Sequence, residues 1–120
     1  MKPLEVCRLS AEALGYKASH WAEPGDGIYL DGDITREWNP LTNAEQRWEC
    51  TLKLMSLGWD VCFARENDIH SAANGLECMD IKCDASAFPA MALAELWKRD
   101  HDENARHERN QNLSHLAKHD

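Results

Sequence analysis

Apolar residues recur along residues 3–14 at the spacing of one helix face. At about 100° per residue, Val6, Cys7, Leu9, Ala13 and Leu14 share an arc, while Glu5, Arg8 and Glu12 lie opposite. Pro3 suits a first turn and Gly15 a C-terminal stop, so the pattern predicts an amphipathic helix. Two short β-compatible runs follow, Tyr16–Ala22 and Gly27–Leu30, around the turn residues Glu23-Pro24-Gly25-Asp26. They read as a hairpin with Asp31-Gly32-Asp33 as its exit loop.

Pro40 drives Asn39 toward extended geometry, so Trp38-Asn39-Pro40-Leu41 interrupts any helix. Thr42 and Glu45 then have the spacing of a capping box, which predicts a helix reaching Leu57 and stopped by Gly58. Ala44, Trp48, Thr51, Leu52 and Met55 share one face of it, widened by Leu54 and Leu57; Glu45, Gln46, Glu49 and Lys53 face away. So wide an apolar arc implies burial on more than one side and a central position.

Trp59, Val61 and Phe63 alternate with Asp60, Cys62 and Ala64, predicting a strand over 59–64. Arg65–Gly75 reads as a polar connection, and Leu76–Cys83 as the partner strand, where Met79, Ile81 and Cys83 alternate with Asp80 and Lys82. A third helix starts near Ala87 with Ala92, Leu93, Leu96 and Trp97 on one face, provided that Pro89 sits in its first turn. The charged stretch 100–120, with Leu113, Leu116 and Ala117 as its apolar cluster, extends that helix, adds a short fourth one, or frays. The expected architecture is α+β: an α-β-β-α-β-β-α sandwich over residues 1–100, with helices on a four-stranded antiparallel or mixed sheet, and a His-rich tail over 101–120.

The sequence Ala13-Leu14-Gly15 after an opening helix, a hairpin, Trp38-Asn39-Pro40-Leu41-Thr42, an amphipathic helix and a strand opening Trp59-Asp60-Val61 together resemble the phage ABA-sandwich domain family over roughly residues 5–105. The sharp element is Trp38–Thr42; family members carry acidic residues just after it, where this chain has Asn43, Ala44 and Gln46. The resemblance implies a bacteriophage or prophage origin and no established catalytic role, so it assigns no active-site residues. The motif also has a structural reading of its own, in which Trp38 plugs the apolar layer, Pro40 fixes the turn and Thr42 caps the helix.

Charge narrows the partners. The 120 residues carry 13 Lys and Arg against 21 Asp and Glu, a formal net charge of −8. From Lys98 onward the two signs balance, so the whole excess lies in residues 1–97. Glu23, Asp26, Asp31, Asp33, Glu37, Glu45 and Glu49 face only Arg36 and Arg47 between positions 23 and 49. Such a surface repels phosphate backbones, disfavouring direct nucleic-acid binding, and attracts a basic protein surface. Neither a membrane-spanning run nor a signal peptide is expected, because Glu5, Arg8 and Glu12 break the stretch where an uncharged segment would sit. Five cysteines (Cys7, Cys50, Cys62, Cys78, Cys83) cannot all pair within the chain; reduced thiols in a bacterial host cytoplasm are expected, mostly facing the core.

Catalytic signatures are sparse. Gly25 and Gly27 flank the acidic Asp26, the wrong charge for a phosphate loop, and neither a nucleophile elbow nor a His-Glu-x-x-His helix occurs. Cys78 and Cys83, five residues apart, fall on opposite faces of a regular strand, which argues against a metal shared with Cys62. His115 and His119 share a helical face but need a third ligand, Glu108 or Asp120. His20 or His70 beside a thiol, and the Asp31/Asp33 pair as a cation loop, have no local support. No catalytic residue, cofactor or metal is therefore expected.

The function expected is that of a small acidic phage accessory protein, non-enzymatic, docking through the seven acids between Glu23 and Glu49 onto a basic host or phage protein. An anti-defence inhibitor of the anti-CRISPR kind is the concrete instance. Two alternatives stand beside it: an enzyme or ligand binder whose site assembles only in the fold, and a self-associating module or homodimer using exposed aromatics, for which five Trp are available.

Overall fold

In a computed structural model, residues 1–18, 27–31 and 36–101 are described. The elements run α1 (Pro3–Ala13), β1 (Ile28–Leu30), β2 (Arg36–Trp38), α2 (Ala44–Ser56), β3 (Asp60–Cys62), β4 (Ile69–Ala73) and β5 (Cys78–Lys82), then a helix over 88–101, here α3. The class is α+β, as the patterning implies. The sheet is different from the one expected. Among the described residues there is no four-stranded sheet but two small antiparallel ones, β1-β2 and the meander β3-β4-β5.

The difference lies in two segments. Arg65–Gly75, expected as connection, contains β4, which pairs with β3 (Val61 opposite Ala72) and with β5 (Ala72 opposite Met79). Its inward residues are His70 and Ala72, both buried. Neither residue type announces a strand; pairing on both sides and burial make one. Likewise Arg36–Trp38 pairs with β1, Ile28 opposite Trp38. Of the expected first hairpin, Gly27–Leu30 holds as β1, and Ala18 forms a single bridge to Leu30; residues 19–26, with the turn Glu23-Pro24-Gly25-Asp26, lie outside the described residues.

One apolar cluster joins the elements. Val6, Cys7 and Leu9 of α1, Trp38, Cys50 and Leu54 of α2, Trp59, Ala72, and Phe88, Leu93 and Leu96 of α3 are all buried in it. The α1 face agrees with its periodicity, with Ser10 buried beside it because its Oγ accepts from Trp38 Nε1 at 3.1 Å and donates to Cys7 O at 3.1 Å. α1 meets α3 through Trp97 Nε1 donating to Glu12 at 3.2 Å and Lys98 lying 3.7 Å from Glu5. Pro89 occupies the first turn of α3, where its missing N–H costs nothing.

Two expectations about α2 are corrected. Its N-cap is Asn43 and not Thr42: Asn43 Oδ1 accepts from Gln46 N at 3.0 Å, while Thr42 belongs to the turn closed on Asn39 O. The helix also faces the other way. Gln46, Cys50 and Leu54 are buried, and Trp48, Leu52 and Met55 are 58%, 46% and 54% exposed. Gln46 is held inward because both ends of its amide are used: Oε1 accepts from Asn39 N at 2.6 Å and Nε2 donates to Glu37 O at 2.7 Å. A buried polar group so satisfied fits the core better than its composition suggests.

Candidate functional site

The Trp38–Thr42 segment is a structural hub. Trp38 is wholly buried and meets Tyr16 edge-on, ring centroids 5.3 Å apart. Asn39 Oδ1 accepts from Leu41 N at 3.2 Å and from Cys7 Sγ at 3.6 Å, and Asn39 O accepts from Asn43 N at 2.9 Å. These bonds give the side-chain oxygen two donors and fix where α2 begins.

That placement sets up α2 as a two-sided helix. Residues 46, 50 and 54 recur every four positions on the core side. Half a turn away, Trp48, Leu52 and Met55 stand at i, i+4 and i+7 on the open side. The sequence contains the clue in the breadth of the α2 apolar arc. Periodicity alone assigned the larger side chains to the core, whereas the hydrogen-bonding demand of Asn39 and Glu37 pulls Gln46 in and turns them out.

The seven acids separate into three groups. Glu23, Asp26 and Asp33 lie outside the described residues. Asp31, Glu37 and Glu45 are exposed, and none is in an ion pair among the described residues. Glu45 lies in the first turn of α2, three positions before Trp48, while Glu37 belongs to β2, whose carbonyl at that residue accepts from Gln46. Glu49 is different: it is half-buried, accepts from the Tyr16 hydroxyl and lies 4.0 Å from Arg36. The Arg36 guanidinium in turn sits 5.1 Å from the Tyr16 ring centroid and 5.8 Å from that of Trp38. Glu49 pushes the Tyr16 hydroxyl above its usual pKa, first through that hydrogen bond and then with the help of burial. Glu49 therefore serves the inside of the fold and does not belong with the open acids.

The candidate thiols do not converge. All five cysteines are free. Cys7 and Cys50 are buried, and burial pushes them up to about 11 and about 12, so both stay protonated at neutral pH. Cys62 and Cys78 stand on the exposed face of the meander and Cys83 is half-buried against the core, so only two of the five thiols are buried. Cys78 and Cys83 take opposite sides of β5, as their spacing requires. Among the described residues no three His, Cys, Asp or Glu side chains are grouped to hold a metal ion. His70 is buried between Phe63 and Phe88, its Nδ1 accepting from Ala64 N at 3.0 Å, with no thiol among these contacts. His101 stacks on Trp97; His20, His107, His115 and His119 lie outside the described residues. No described helix is long and apolar enough to cross a membrane. Comparisons with family models, with curated proteins and with solved structures find no match for the chain.

Proposed function

We propose that the chain acts by protein–protein association, laying the open face of α2 onto a protein whose apolar cleft is rimmed by basic residues. It would do so as a non-enzymatic accessory protein of phage or prophage type, and an anti-defence inhibitor is the instance its charge and layout suit best. The observation that carries this reading is the apolar row Trp48, Leu52 and Met55, exposed on the side of α2 opposite its buried face. Apolar residues at i, i+4 and i+7 are the anchors of a helix that docks in a groove, and a Trp among them is a common centre of binding energy. Glu45 in the first turn of α2, the exposed Glu37 of β2 and a chain charge of −8 supply the complementarity to a basic rim. Asp31 adds to the same sign. Phosphate-bearing nucleic acid is disfavoured by that charge, whereas a protein that normally binds nucleic acid offers the matching surface.

The test is differential capture from a bacterial host carrying an active CRISPR system, read by mass spectrometry. Wild type is compared with Trp48→Asp, with the pair Glu37→Lys/Glu45→Lys, and with Glu12→Gln as a control away from α2. The expected result is a partner retained by wild type and the control, lost with Trp48→Asp and weakened by the charge-reversed pair. Raising salt from about 50 to about 500 mM should also weaken it, since screening shortens severalfold. Capture indifferent to Trp48 and to salt overturns the reading, as does catalytic turnover abolished by one buried substitution.

A further inference from the structure

A second surface rests on observations independent of α2. In the meander the order β3-β4-β5 leaves β5 as an outer strand. Which backbone groups it presents follows from the register. Asn74 N donates to Glu77 O at 3.1 Å and Cys83 N to Asp68 O at 2.8 Å, at the two ends of the β4-β5 ladder. Alternation between those ends makes Ala72/Met79 and His70/Ile81 the hydrogen-bonded pairs. The N–H and C=O groups of Cys78, Asp80 and Lys82 therefore point off the sheet. Beside this edge runs a groove of about 450 Å³ between β5 and α3, in which Met79, Ile81, Met91 and Leu96 are the apolar lining and Asp80, Lys82, Glu95 and Arg99 the charged one. An edge that carries no further strand among the described residues, with an open, partly apolar groove alongside, is a template for one more strand.

We propose that the strand is β5 of a second copy of this chain, antiparallel and related by a two-fold axis through Ile81. Charge selects this register. Self-pairing centred on Asp80 would set two aspartates directly opposite, which is destabilising. Centred on Ile81, pairing sets Asp80 of each copy opposite Lys82 of the other, twice, and Ile81 against its own equivalent on the groove side. Lys82 is in no ion pair among the described residues, and Ser71 Oγ, donating to Asp80 Oδ1 at 2.5 Å, holds that carboxylate on the open face. The product is an isologous six-stranded sheet in which each copy covers the exposed edge of the other.

The experiment is sedimentation equilibrium of the full chain over a micromolar concentration series. Asp80 and Lys82 are both exposed, so their substitution leaves the core alone. Wild type is expected to dimerise. Asp80→Lys and Lys82→Asp should each raise the dimer dissociation constant about tenfold or more, because two attractive pairs become repulsive. The double exchange Asp80→Lys/Lys82→Asp should restore it, and Trp48→Asp should leave it unchanged. In the proposed register residue 81 meets its own equivalent as a non-hydrogen-bonded pair with Cα atoms about 4.5 Å apart, within disulfide reach. Ile81→Cys should thus give an oxidised dimer whose linked peptide joins position 81 to position 81. A monomer at every concentration overturns the proposal. So does a dimer broken by Trp48→Asp, a double exchange that stays folded without restoring association, or an oxidised dimer linked only through other cysteines.

Discussion

Gly27 has no room for a side chain. A Cβ there would lie 2.6 Å from Trp38 O and 2.7 Å from Asn39 Cβ, both parts of the hub. Gly27→Ala should therefore cost about 1–3 kcal/mol, the range for overpacking a tight site, measured by urea unfolding. The buried thiols make a prediction of another kind. Cys7 and Cys50 are held near 11 and 12 against an ordinary 9.0, chiefly by desolvation, with Glu37 and Glu49 adding to it. The folded state thus keeps protons that the unfolded chain releases. Stability from this source is fully present below pH 9 and is lost as pH rises through the folded values. Thermal unfolding followed by Trp fluorescence should show a melting temperature that falls steeply above that point, and a Cys7→Ala/Cys50→Ala chain should show a shallower fall. Equal slopes would remove the thiols from the explanation. None of this is legible in the residue names, since a cysteine acquires its chemistry from what surrounds it.

At the scale of the element, α2 is the sharpest test of the fold. Leu52 and Leu54 are two positions apart on one helix, and periodicity puts Leu52 nearer the centre of the apolar face. In the structure Leu54 is wholly buried and Leu52 is open. Leu54→Ala should cost about 2–5 kcal/mol by chemical denaturation, while Leu52→Ala should stay within about 0.5 kcal/mol. The reverse order would restore the orientation that periodicity predicts. Gln46→Ala strips the partners from Asn39 N and Glu37 O and should cost about 1–3 kcal/mol. Helices α1 and α3 are legible in the sequence because their charged residues keep to one side. Periodicity turns α2 the wrong way because the polar residue that helix buries is satisfied by backbone groups seven and nine positions away. β4 is silent in the sequence for a related reason, since its inward side chains are Ala and His and its partners come from both flanks.

Over the whole molecule, the formal charge of −8 opposes compaction by self-repulsion. Going from about 10 to about 100 mM salt shortens screening from about 30 to about 10 Å. The melting temperature should therefore rise over that interval, followed by intrinsic fluorescence at low protein concentration; a fall would mean that ion pairs such as Arg99–Glu77, at 2.8 Å, outweigh the repulsion. The same screening acts in the opposite direction on the proposed basic partner, so salt would strengthen the folded chain while loosening its complex. Stability and association can in this way be separated by one variable.

The α+β class, the helices α1 and α3, the outer strands of the meander and the sign of the charge are written in the order of the residues. These depend on local periodicity, on Pro and Gly, and on counting. The two-sheet arrangement, the existence of β4, the cap at Asn43 and the outward turn of Trp48, Leu52 and Met55 emerge only in the folded chain. The cap and the outward turn depend on which of several competing backbone groups a polar side chain satisfies, a choice made when the elements pack and one that hydrophobic periodicity does not encode.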